Sequence, residues 1–162
     1  MSILRKAKQA DIQTLKMLYN YFVLDMSSFE PSDSNLEDEI LIWIETSLTG
    51  EKAVIFVAED DKGINGFVRI QHKERLNKNG NEIINYAKLS DLYVLPEARK
   101  KGIARQLINA AVNWAKELKL TDIILNVYEK NEAAHALYKT FGFKDECAIS
   151  NSRIRMKYNF ND

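Results

Sequence analysis

Arg99, Lys100 and Lys101 run directly into Gly102, between an apolar stretch at 89–94 and a helical pattern that opens at Ile103. A strand that ends in a basic, glycine-containing turn and leads into a helix is built to hold an anion. The first N–H groups of the helix have no partner inside it, and its dipole adds partial positive charge there. Glycine lets the backbone come close to a phosphate, so this turn is predicted to bind a phosphate-bearing ligand. A second group lies further along: Asn131, Ala134, Tyr138 and the run Phe141-Gly142-Phe143. Taken singly, Asn131 is a helix N-cap, Tyr138 a core position and Phe-Gly-Phe a helix stop. Their coincidence in this order after the basic turn is more informative than any one of them. Two other phosphate loops fail on pattern. A Walker loop needs a second, spaced glycine followed by Lys and Ser or Thr, and a dinucleotide fingerprint needs three glycines after an early strand.

Composition narrows the field. The chain has 162 residues, 46% apolar and 28% charged, which suits one globular domain over 1–162. Its 23 Lys and Arg balance 23 Asp and Glu, so the general positive excess of a nucleic-acid-binding protein is missing and no nucleic-acid partner is expected. The one cysteine, Cys147, excludes an internal disulfide framework and fits a reducing compartment. The opening residues lack a signal-peptide pattern and no apolar run is long enough for a membrane span. A cytoplasmic protein without a membrane partner is the expectation.

The elements that must position these groups follow from periodicity. Residues 3–8 read as a strand. Asp11 is placed to cap a helix carrying Ile12, Leu15, Tyr19, Phe22, Val23 and Met26. A Ser-, Asp- and Pro-containing loop spans 27–35. Ser34 with Glu37 forms a capping-box pattern for a second helix with Ile40, Trp43, Ile44 and Leu48, ended by Gly50. Segments 53–58 and 64–72 form a hairpin across the turn at 60–63, and a long strand covers 83–94 before Pro96 breaks the pattern. From Ile103 the apolar positions Leu107, Ile108, Ala111, Ala115 and Leu118 share one helical face. A strand at 122–128, a short helix from Asn131 to about Phe141, and an antiparallel pair at 143–149 and 153–160 complete the chain. The order β-α-α-β-β-β-α-β-α-β-β is a mixed α/β arrangement.

These residues resemble the GCN5-related N-acetyltransferase (GNAT) superfamily. Arg99-x-x-Gly102-x-Ala104 is similar to its acetyl-CoA signature, and Asn131-x-x-Ala134-x-x-x-Tyr138 with Phe141-Gly142-Phe143 is similar to its second motif. The opening around Arg5, Ala7 and Asp11 resembles a common first strand and helix. The resemblance implies the acyl-CoA N-acyltransferase fold, a central twisted mixed β-sheet flanked by helices and splayed where acetyl-CoA inserts. It implies acetyl-CoA as co-substrate, no metal, and transfer of an acetyl group to a primary amine of a small molecule or peptide by direct attack in a ternary complex. A homodimer is left open. Backbone N–H groups around Lys100, Lys101, Gly102, Ile103, Ala104 and Arg105 would cradle the pyrophosphate, with Arg99, Lys100 and Lys101 supplying charge. Leu92, Tyr93 and Val94 would offer strand backbone to the pantetheine arm, and an N–H there would polarise the thioester carbonyl. Asn131 and Ala134 would support the arm from the short helix, and Tyr138 would direct its hydroxyl at the CoA sulfur as general acid. A tyrosine, with a reference pKa of about 10, stays protonated at neutral pH and can donate to a departing thiolate.

The base is less legible. An alkylammonium must lose a proton before attack. At the strand positions expected to face the acceptor stand Lys88 and Ser90, while alternation sends Asp91 to the other face. Glu30, Glu129 and water chains are the remaining candidates. The absent acid keeps open a non-catalytic acyl-CoA-binding module, and the basic turn alone keeps open a general nucleotide-phosphate-binding protein. The acceptor is expected between the 27–35 loop, the second helix and the 76–82 loop, with Tyr21 and Phe29 as further lining candidates. Cys147 reads as a buried hydrophobe, Trp43 and Trp114 as core, and His72 and His135 as too isolated to hold a metal.

Overall fold

The computed structural model describes residues 1–31 and 35–161. The expected elements appear in the expected order: β1 (Ile3–Lys6), α1 (Ile12–Met26), α2 (Glu37–Thr49), β2 (Ala53–Asp60), β3 (Gly63–Leu76), β4 (Ile83–Val94), α3 (Ile103–Glu117), β5 (Asp122–Tyr128), α4 (Glu132–Thr140), β6 (Lys144–Ala148) and β7 (Arg153–Asn159). Short 3₁₀ turns at Gln9–Asp11 and Pro96–Ala98 precede α1 and α3. The strands form one seven-stranded sheet in the order β1-β2-β3-β4-β5-β7-β6. All neighbours are antiparallel except β4 and β5.

Each face of the sheet carries its own core. Ile103, Leu107, Ile108, Ala111 and Ala115 put the apolar stripe of α3 onto Val68, Ile70, Leu89 and Leu125. On the opposite face Leu15, Leu18 and Tyr19 of α1 meet Ile40 and Ile44 of α2 over Val57, Phe67 and Tyr93. The rings of Tyr19 and Phe67 lie 4.5 Å apart. Leu118, read as part of the α3 stripe, is instead 45% exposed. The helix has ended by then, Lys119 turns left-handed (φ 58), and Leu120 is the residue that returns to the core.

Asp11 does not cap α1 through the helix N–H groups. Its carboxylate accepts from the Lys8 N–H at 2.9 Å and takes a two-pronged contact from Arg5 at 2.7 and 3.0 Å. The Arg5 guanidinium therefore holds the carboxyl below the usual carboxylate range. The capping role read for Ser34 lies outside the described residues; Asn35 accepts from the Glu37 N–H at 3.0 Å. Cys147 is exposed rather than buried, because β6 is an edge strand whose residues all face solvent.

Two features of β4 govern the site. Its ladder with β5 is limited to the pairs Ala87–Ile123 and Lys88–Ile124, although β5 goes on to pair along its whole length with β7. Just past that point its register with β3 shifts, Arg69 facing Asp91 and Ile70 facing Leu89, which leaves Ser90 as an additional residue. A bulge bends its strand and increases local twist. Here it coincides with the point where β4 leaves β5, and a cleft opens between them.

Candidate active site

The cleft holds two cavities that meet at Met26, Leu92, Asn131 and Ala134. The larger, about 910 Å³, runs from the end of α1 to the start of α3. Leu92, Tyr93, Val94, Arg99, Lys100, Gly102, Ile103, Ala104 and Arg105 line it together with Asn131 and Ala134. Of the residues expected at the cofactor, Lys101 is not part of this wall, and Tyr138 belongs to the smaller cavity.

The turn that enters α3 has the shape an anion needs. Lys100 (φ 62) and Gly102 (φ 82) are both left-handed, and nothing lies within 4 Å of where a Gly102 side chain would begin. The helix opens there without a side-chain cap, so its first N–H groups face open ground. Arg99 ties the turn down: its Nε donates to the Val94 carbonyl at 2.8 Å and its Nη2 meets Asp25 of α1 at 2.9 Å. Arg105 donates to Thr140 Oγ1 at 2.9 Å and lies over the Phe141 ring. Lys100 lines the cavity and, like Lys101, makes no ion pair among the described residues, which leaves its charge for a ligand. Beyond Lys88 the edge of β4 that would face β5 carries no ladder, so the backbone of Leu92–Val94 is open on that side for an extended ligand.

The smaller cavity, about 580 Å³, lies on the α1/α2 side. Phe22, Val23 and Met26 of α1, Trp43 of α2, Lys88, Ser90 and Asp91 of β4, Asn126 and Tyr128 of β5, Tyr138 of α4 and Arg153 of β7 line it. The bulge corrects the expectation for Asp91. With Ser90 inserted, Asp91 shares the face of Lys88, where it accepts the Tyr19 hydroxyl at 2.7 Å and has Arg69 Nη1 at 3.7 Å. Arg69 Nε donates to Ser47 Oγ at 2.9 Å, so Asp91 belongs to a buried polar chain across the floor of the cavity. Burial pushes its carboxyl above the ordinary value, against the hydrogen bond from Tyr19 and the charges of Arg69 and Lys88. Strand alternation hid this residue, and a bulge has no signature in residue type.

Tyr138 is 7% exposed and packs edge-on against Phe143. Burial, with Asp91 as the second cause, raises its hydroxyl far above 10. Asn131 does cap α4, its Oδ1 accepting from the Ala134 N–H at 3.3 Å. Glu30 reaches the cavity beside Arg153, whereas Glu129 is exposed and outside it. Ser27 and Glu30, from the described part of the 27–35 loop, and Trp43 of α2 border this space, but the 76–82 loop contributes nothing to it. Tyr21 points to solvent, and Phe29 stacks on Tyr128 at 5.6 Å. His72 and His135 bind Asn85 and Asp145, and no cluster of metal-ligating side chains occurs among the described residues. Nor is any described helix long and apolar enough to cross a membrane.

A split mixed sheet with an anion turn on one side of the gap and a carboxylate and tyrosine on the other is the arrangement of an acyl-CoA N-acyltransferase fold. The sequence pattern of the acetyltransferase (GNAT) family matches residues 15–143, and the chain belongs to that family. An aminoglycoside N(6')-acetyltransferase type 1 of Acinetobacter haemolyticus is 34% identical over 67 residues, 41% of this chain and 46% of that protein. That match spans less than half of the relative's length. The uncharacterized N-acetyltransferase YhfO of Bacillus subtilis (strain 168) is 25% identical over 144 residues, 88% of this chain and 90% of its own. Among solved structures, the PaiA N-acetyltransferase of Thermoplasma acidophilum in complex with coenzyme A superposes with a TM-score of 0.77 over 99% of both chains at 22% identity. Arabidopsis thaliana NAA60 in complex with acetyl-CoA gives 0.76 over 100% of both at 18% identity. These two likenesses establish the fold.

Proposed function

We propose that this protein transfers the acetyl group of acetyl-CoA to a primary amine by direct attack in a ternary complex. The observation that carries the proposal is the junction of the two cavities at Leu92 and Asn131. A ligand lying along the open edge of β4, with its phosphates on the turn at 99–105, would end between Asp91 and Tyr138. The bound co-substrate would supply an activated acetyl group as a thioester. Around it, Lys100 and the N–H groups at the start of α3 hold phosphate, and the backbone of Leu92–Val94 orients the arm. Asp91, its carboxyl raised by burial, takes a proton from the acceptor ammonium and passes it to solvent. A nitrogen–carbon bond then forms to the acetyl carbon as the carbon–sulfur bond breaks. The proton shed by the attacking nitrogen ends on the thiol, whose developing charge the Tyr138 hydroxyl stabilises.

A non-catalytic acyl-CoA-binding module drew its support from a missing acid, and Asp91 in the acceptor cavity removes that support. The test is CoA release from acetyl-CoA across a panel of amines, paired with melting temperatures. Amine-dependent release, with stabilisation by CoA but not by ATP, is expected. Background release with every amine would defeat the catalytic reading, and equal protection by ATP would defeat the CoA site.

A further inference from the structure

The acceptor cavity holds more positive charge than its own acids neutralise. Its charged lining is Arg69, Lys88 and Arg153 against Glu30 and Asp91. Arg69 and Asp91 serve each other and Ser47 in the floor. Lys88 is half-buried and has neither a hydrogen bond nor an ion pair among the described residues. Burial and the charges of Lys73, Arg155 and Arg153 pull its pKa down, against Asp91. Arg153 has one acid nearby, Glu30, with its Nε 3.7 Å from the carboxylate and too far to bond; that buried Nε has no acceptor. Arg155, on the same face of β7, also has a buried Nε without a partner. Across the ladder from Arg155, Asn126 lines the cavity with a buried Oδ1 that receives no donor.

Orphaned buried groups are rare in folded proteins, and a set of them around a cavity describes its missing partner. Lys88 and Arg153, which line the cavity, are complementary to an anion, and the lone carbonyl oxygen of Asn126 to an N–H. We propose that the acceptor is a primary amine that carries its own anionic group, a carboxylate or a phosphate. The anion lies between Lys88 and Arg153, and the amine N–H groups turn toward Asn126 and Asp91. This identification of the acceptor class rests on the reading of the chain as an acetyltransferase. It also disfavours polycations. A polyamine or an aminoglycoside would bring ammonium groups to Lys88 and Arg153, where like charge in a poorly solvated cavity is costly.

Matched pairs provide the test: L-alanine and L-glutamate against their methyl esters, O-phosphoethanolamine against ethanolamine, with spermidine and kanamycin as polycations. Each is assayed twice on the wild-type protein, by calorimetric binding to the CoA-saturated form and by acetyl transfer from acetyl-CoA. The anionic member of each productive pair should bind and react at least about tenfold better, since each lost charge-assisted contact is worth about that factor. The arm that wins, carboxylate or phosphate, names the group. Lys88→Gln and Arg153→Gln should each erase the preference through KM, and Lys88→Glu should reverse it toward the esters; melting curves confirm that each variant folds. Equal binding of acid and ester, or best turnover with spermidine or kanamycin, overturns the proposal. Acid-selective binding without transfer to any amine would support the anion site and overturn the acetyltransferase reading instead, so the two failures are told apart.

Discussion

Burial makes Tyr138 a durable donor. With its hydroxyl raised far above 10, it keeps its proton at every pH at which such an enzyme would be assayed. A thiol's reference pKa is about 8.5, so in the proposed reaction a tyrosine this basic would share its proton with the departing sulfur and keep it. Tyr138→Phe keeps the ring that meets Phe143 edge-on and removes only the donor. Steady-state kinetics should show kcat lower by on the order of 100-fold with the acetyl-CoA affinity unchanged; an unchanged kcat would leave thiolate departure to water. Asp91 is tested in the complementary way. Asp91→Asn retains an oxygen for the Tyr19 hydroxyl but no longer accepts a proton. Because burial raises the carboxyl, wild-type kcat/KM should rise with pH as Asp91 ionises, above the ordinary carboxylate range. The Asn variant should lose on the order of 100-fold in kcat, and its pH–rate profile should lack that acidic limb.

At the scale of elements, periodicity made most of the fold legible, because α1, α3 and the strands at the centre of the sheet bury apolar residues at regular spacing. The α3 face at Leu107, Ile108, Ala111 and Ala115 could be read directly, as could the stop at Gly142. Departures from period could not. Asp91 was assigned to the wrong face because one inserted residue, Ser90, resets the alternation of β4, and nothing in Leu-Ser-Asp-Leu distinguishes a bulge from a plain strand. Asp25 and Arg153 were invisible for another reason: they reach the site from α1 and β7 through tertiary contacts with no local pattern. The turn before α3 was readable because its chemistry is local. Since a side chain on Gly102 would start in open space, a large one should fill the ligand's ground without touching the core. The left-handed backbone there costs any L-residue about 1 kcal/mol. Gly102→Ala should therefore show mild destabilisation and retain CoA binding. Gly102→Trp should fold with a similar melting temperature yet lose the thermal shift given by CoA; a Trp variant that still responds would put the pyrophosphate elsewhere.

For the molecule as a whole, zero net charge conceals a separation of roles. Arg69, Lys88 and Arg153 line the cleft, whereas one of the acid clusters that tie the fold together lies at the far end of the sheet. There Arg5 of β1 joins Asp11, at the start of α1, to Glu59 of β2. The same helix then runs to the cleft, where Phe22, Val23 and Met26 form cavity wall and Asp25 holds Arg99. Asp11 is 8% exposed in its side chain, so its hydrogen bonds to Arg5 and to the Lys8 N–H are little screened. A carboxyl whose pKa falls on folding stabilises the fold above its unfolded value and loses that contribution as pH drops through the folded one. Asp11→Ala should thus lower unfolding free energy at pH 7 by about 2 kcal/mol, measured by urea titration. The gap between variant and wild type should begin to narrow below about pH 4, where the unfolded carboxyl takes up a proton, and close only as pH falls through the lower value that Arg5 imposes on the folded one. A difference that persists undiminished at pH 3 would mean that Asp11 anchors α1 by packing rather than by charge.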